Sequence, residues 1–93
     1  MKVAVFDTYV KRSNGDLAHF DIIVPKGQYK HEEILDFGRQ YLESINEKES
    51  QLTSEECQFC HIETPTQEIV DDILQKGYYI LVMEDVQQSS TQS

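Results

Sequence analysis

Basic side chains are scarce in this chain, cysteine is scarcer still, and no apolar run is long enough to cross a membrane. Eight lysines and arginines stand against 17 aspartates and glutamates, a formal net charge of −9 over 93 residues. The eight (Lys2, Lys11, Arg12, Lys26, Lys30, Arg39, Lys48 and Lys76) are scattered, with only Lys11 and Arg12 adjacent. Nucleic-acid binding needs a concentrated basic footprint to neutralise phosphates, and an anionic membrane surface makes the same demand, so neither partner is expected. The acidity reads as solubility. The run MKVAVFDTYV carries Asp7 and has the pattern of a strand, not of a secretory leader, which makes the cytoplasm the expected compartment. In that compartment Cys57 and Cys60 are expected as thiols or ligands, not as a disulfide. A serine elbow, a phosphate-cradling glycine loop and a dinucleotide fingerprint are all missing.

What is present starts with a hairpin. Val3 to Pro25 holds two runs rich in β-branched and aromatic residues around Ser13-Asn14-Gly15-Asp16. A two-residue turn at Asn14-Gly15 would put Asp7 into the apolar row opposite Ile22. A type I turn with Gly15 in the left-handed region shifts the pairing by one residue. Ala4, Phe6, Thr8 and Val10 then face Val24, Ile22, Phe20 and Ala18, and burial selects this register because a slip of one residue inverts every side chain. The opposite face collects Tyr9 across from His19, Asp7 across from Asp21 and Val5 across from Ile23. Two carboxylates directly opposed on a sheet repel, so this register demands a compensating group.

Further along, His31 to Ile45 has apolar residues at helical spacing (Ile34, Leu35, Gly38, Tyr41, Leu42, Ile45), with Glu32 and Glu33 in the first turn and no capping side chain at Lys30. Gly38 costs about 1 kcal/mol against alanine inside a helix, which implies a close approach to the sheet. Asn46 to Gln51 reads as a loop, and Thr53 to Glu56 as a capping-box turn. Phe59 to Glu63 is a short strand. Thr64 as cap, Pro65 at the first position and Gly77 at the end delimit a second helix with Ile69, Val70, Ile73 and Leu74 on its buried face. Tyr78 to Met83 is a strand apolar on both faces, which suits an interior position. Residues 1–86 thus make one domain, and 87–93 a polar, disordered tail.

The fold class expected is α+β: a single compact domain, strand-strand-helix-strand-helix-strand, with a four-stranded mixed sheet packed with two helices. The last three strands are expected to run parallel through helical crossovers, in the spatial order 2-1-4-3. Right-handed crossovers would put the helices on opposite faces. Both on one face would leave an apolar face for a partner subunit.

Two groups of side chains could carry chemistry. Cys57-Gln58-Phe59-Cys60-His61 has haem-attachment spacing, but such attachment needs export and a helical pocket, and the motif precedes a strand. A thioredoxin-like pair opens a helix after a strand, which this pair does not. Zinc remains open: Cys57, Cys60 and His61 supply three ligands, with His19 or Glu63 as a fourth, although a second clear ligand pair is missing. Two semi-buried thiols on a strand are the commoner arrangement. The second group is Asp7, His19 and Asp21, which suits acid/base catalysis, a divalent-metal site or a structural polar network. For the network, Asp7→Asn and Asp21→Asn are both expected to destabilise; for a working site, neutralising one carboxylate leaves stability equal or higher. His31 reads as a solvated residue of a first helical turn.

Phe6-Asp7-Thr8-Tyr9, His19-Phe20-Asp21, Cys57 and Phe59-Cys60-His61 together resemble a small bacterial domain-of-unknown-function family (number two-zero-two-four). The resemblance runs from the first strand to the last and leaves the tail outside. It implies a compact α+β domain and brings no established activity with it. The functional expectation is a non-catalytic binding or regulatory module, with an unknown protein partner or self-association and no cofactor. The alternatives are the zinc or thiol site at Cys57, Cys60, His61 and His19, and an acid/base enzyme using Asp7, His19 and Asp21.

Overall fold

The structure is a computed structural model and describes residues 1–47 and 51–83. Its elements are β1 (Val3–Lys11), β2 (Leu17–Pro25), α1 (His31–Ser44), β3 (Cys57–Glu63), α2 (Gln67–Lys76) and β4 (Tyr79–Val82). The α+β class and the element order agree with the sequence. The expected tail lies outside the described residues, as does part of the Asn46–Gln51 loop.

The hairpin adopts the bulged register. Ala4 pairs with Val24, Phe6 with Ile22, Thr8 with Phe20, and Asp7 with Asp21. Gly15 sits at φ 95°. Its N–H donates to the Arg12 carbonyl at 3.0 Å, and the Arg12 N–H to the Asp16 carbonyl at 2.7 Å. A feature the sequence did not announce secures this turn: Glu47, just beyond α1, accepts from the Ser13 N–H at 3.0 Å and pairs with Arg12 at 3.4 Å. The Ser13 N–H is the main reason its carboxyl lies below the ordinary glutamate value.

The sheet departs from the expected order. Its strands run β3-β1-β2-β4, and every neighbouring pair is antiparallel. The sheet is therefore antiparallel, not mixed, and 2-1-4-3 is replaced by 3-1-2-4. The helical crossover does return the chain in the direction of β2 when β3 begins, but β1 lies between them and pairs with both. Tyr79–Val82 is an edge strand, with Leu81 and Val82 exposed, so apolar composition alone misplaced it. The interior strands are those of the hairpin, whose residues dominate the core.

The helices lie on opposite faces. Against α1 pack Ala4, Val10, Ala18, Phe20, Ile22 and Val24, with Leu52 and Cys57. Against α2 pack only Val3, Val5, Ile23 and Tyr79. Gly38 confirms a close approach: a Cβ there would stand 2.6 Å from Leu52 Cδ2 and 2.9 Å from Ile22 Cδ1. At the start of α1, Lys30 offers no capping side chain, yet Glu33 reaches back to the Lys30 N–H at 2.9 Å. For α2 the cap is Thr66, not Thr64: its hydroxyl accepts from the Ile69 N–H. Thr64 instead accepts from Lys2 Nζ at 2.7 Å. Gly77 at φ 96° closes the helix as expected.

The two helices cover unequal areas for a geometric reason. α1 connects the Pro25 end of β2 to the Cys57 start of β3, at opposite ends of the sheet. α2 connects Glu63, opposite Val3, to Tyr79, opposite Ile23, both at one end. Ten residues of helix span about 15 Å, close to the roughly 14 Å across four strands. α2 thus traverses the strands at that end and, among the described residues, leaves the other half of its face without a helix.

Candidate functional site

The helix-free half of this face carries Asp7, Tyr9, His19 and Asp21, brought together by the bulged register. Asp7 and Asp21 are cross-strand partners, as are Tyr9 and His19. His19 Nε2 lies 2.8 Å from Asp7 Oδ1, with the histidine side chain 14% exposed and the aspartate 37%. Tyr9 stacks on the imidazole, ring centroids 3.9 Å apart and 13° from parallel, which fixes the plane of the ring. Among the described residues, Asp7, His19 and Asp21 form the group whose ligand-type atoms all lie within 4.8 Å of one another.

The electrostatics follow from what surrounds these atoms. The Asp21 carboxyl is pushed up to about 6, first by burial and then by its hydrogen bond to Asp7 and the charge there; His19 and His61 pull the other way. The Tyr9 phenol is also raised, by burial and then by Asp7 and Asp21. Among the described residues neither aspartate has a lysine or arginine partner. Among the described residues, the opposed carboxylates anticipated from the hairpin are thus met by histidine and by the hydrogen bond they share.

The cysteine motif is divided by the sheet. Cys57, opposite Thr8, is buried on the α1 face, and burial raises its thiol. His61 lies opposite Val5, on the α2 face. Pairing passes from Val5–His61 to Phe6–Phe59 and leaves Cys60 as an extra residue, a β-bulge. That bulge puts Cys60 Sγ 3.3 Å from His61 Nδ1, and His61 Nε2 lies 2.7 Å from Glu63. Cys57, Cys60, His61 and His19 do not converge as one zinc set, because Cys57 faces the opposite core. Both cysteines are free thiols. His31 is not merely solvated: its Nε2 lies 3.1 Å from the Cys57 carbonyl and its ring stacks on Phe6, docking α1 on β3. A shallow cleft of about 360 Å³, lined in part by Asp7, Tyr9, Glu55, Glu56 and Cys60, opens beside Asp7; His19 and Asp21 do not line it.

A family model described as Domain of unknown function (DUF2024) matches residues 1–83. The chain belongs to this family. A solved relative agrees: the NMR structure of protein NE1680 from Nitrosomonas europaea is 42% identical, with a TM-score of 0.77 over 90% of this chain and 96% of that one. No curated protein matches the chain. The family therefore fixes the fold and leaves the activity to be argued from the site. No described helix is long and apolar enough to cross a membrane.

Proposed function

We propose that this member of the family is a non-catalytic binding module whose ligand carries positive charge and seats on the helix-free half of the α2 face. One observation carries the reading: Asp7 and Asp21 oppose each other on neighbouring strands with histidine beside them and, among the described residues, no lysine or arginine partner. An under-compensated carboxylate pair at an open cleft attracts a cation, whether a metal ion, a polyamine or a basic segment of a partner protein. Thr8, the aliphatic hydroxyl next to Asp7 in sequence, supports binding over hydrolysis: it is buried on the α1 face and donates to the Phe6 carbonyl.

A thermal-shift series on the full chain tests this with divalent metal chlorides, spermine and a lysine-rich peptide. At least one cation should raise the melting temperature, and the gain should fall in Asp21→Asn. No response to any of them would retire the reading.

A second reading, a thiol site at Cys60, draws on the bulge that sets its sulfur beside His61 and Glu63. It calls for faster alkylation of Cys60 than of a free thiol at neutral pH, slowed in His61→Gln. Equal rates would remove it.

A further inference from the structure

The charged ligand can be narrowed on the geometry, an inference that rests on the binding-module reading. We propose that Asp7, His19 and Asp21 hold one divalent first-row transition ion, through one carboxylate oxygen from each aspartate and a ring nitrogen of His19.

Three observations on independent parts of the structure support it. The first is spacing. Donors around an ion at about 2.1 Å stand roughly 3 to 4 Å apart. The three candidate atoms already lie within 4.8 Å of one another, and His19 Nε2 and Asp7 Oδ1 are at 2.8 Å.

The second is rigidity. All three residues stand on β1 and β2, the paired central strands, whose other face is the main core. The Tyr9 ring holds the imidazole in one plane. Donors on paired central strands, with the imidazole held by stacking, meet what a metal site requires of its scaffold.

The third is charge and access. Two ionised carboxylate ligands bring a charge of −2, which a divalent ion neutralises and with which no described lysine or arginine pairs. Asp7, 37% exposed, borders a shallow cleft and gives the group an edge open to solvent.

The donor set also selects the class of ion. Calcium takes six to eight oxygen ligands and magnesium keeps a shell of waters, so two carboxylates and one imidazole serve neither well. Mixed imidazole and carboxylate donors suit manganese, iron, cobalt, nickel and zinc. Cys57 cannot join, since it faces the opposite core.

Calorimetric titration of the chelator-treated full chain with manganese, cobalt, zinc, magnesium and calcium chlorides tests the site. A transition ion should bind with one-to-one stoichiometry, more tightly than magnesium or calcium. Asp21→Asn is the decisive variant because it leaves the Asp7–His19 bond in place. It and His19→Gln should each weaken binding at least about ten-fold, the loss that even an outer partner of a ligand causes. Binding should be unchanged in Cys60→Ser, and in the wild type manganese should broaden the NMR signals of Tyr9 and His19 first. The inference is overturned if no ion saturates, or if binding survives Asp21→Asn and disappears in Cys60→Ser. If spermine or the basic peptide stabilises the protein through Asp21 while no metal binds, the metal falls and the binding module stands.

Discussion

The two faces of the sheet are built from the same two central strands and finished in opposite ways. On one face, α1 runs from one end of the sheet to the other, and Ala4, Val10, Ala18, Phe20, Ile22 and Val24 are buried beneath it. On the other, α2 cuts across one end, buries Val3, Val5 and Ile23, and stops. Beyond it the same strands show Asp7, Tyr9, His19 and Asp21. In a strand with period two, one alternation serves the core while the other is free to change character midway. The protein holds its shape with one face and leaves half of the other uncovered by α2.

The contrast breaks most readily on the covered side. Phe20 is fully buried and packs on Tyr41, ring centroids 4.7 Å apart. Phe20→Ala should cost about 3–5 kcal/mol by denaturant unfolding. A loss below about 1 kcal/mol would mean that α1 does not carry the main core. On the same side, Gly38→Ala gains about 1 kcal/mol of helix propensity but meets Leu52 and Ile22, both buried. Overpacking costs about 1–3 kcal/mol, so the net effect should be a destabilisation of roughly 1 kcal/mol.

The open half should respond to pH. Asp21 has a folded-state value near 6 against 3.8 for the free side chain. The folded state holds this proton more tightly, so the contribution is fully present below about pH 4 and is lost as pH rises through 6. Two units correspond to at most about 3 kcal/mol, and solvent screening at a partly exposed carboxyl reduces this to about 1 kcal/mol. Unfolding between pH 4 and 7 should show that decline in the wild type and not in Asp21→Asn. The variant should match or exceed wild-type stability at pH 7. The sequence alone predicts destabilisation in both aspartate variants; the structure separates them, because only Asp7 holds His19 directly. Equal destabilisation of the two would make the pair a structural network. Smallest of all, Leu17→Lys on the exposed rim should change stability by less than about 0.5 kcal/mol.

Much of this was legible in the residues. The bulged register followed from keeping Asp7 out of the apolar row, and it carried the Asp7, His19 and Asp21 group with it. Gly38 announced the close approach of α1. The order of the strands was hidden, because it depends on which edge each crossover reaches, and Tyr79–Val82 has the apolar composition of an interior strand at an exposed edge. The division of the cysteines was hidden because the strand begins at Cys57, not Phe59, and the one-residue bulge that moves His61 to the α2 face leaves no mark on spacing. Thr64 and Thr66 are both good caps, and the contact of Thr64 with Lys2, 62 positions away, is a tertiary event. Glu47 fell in a charged loop whose anchor, the hairpin turn, is remote in sequence.

The extra residue at Cys60 also bears on how the chain behaves in a crowd of its own copies. β3 is an edge strand of seven residues, with no lysine or proline, and exposes Phe59 at 56% and Ile62 at 40%. A straight, sticky border of that kind recruits further strands and seeds fibrils. The bulge interrupts the even row of free N–H and C=O groups near its middle, so an incoming strand finds only a short fragment in register. One inserted residue thereby makes this edge a poorer template for a further strand.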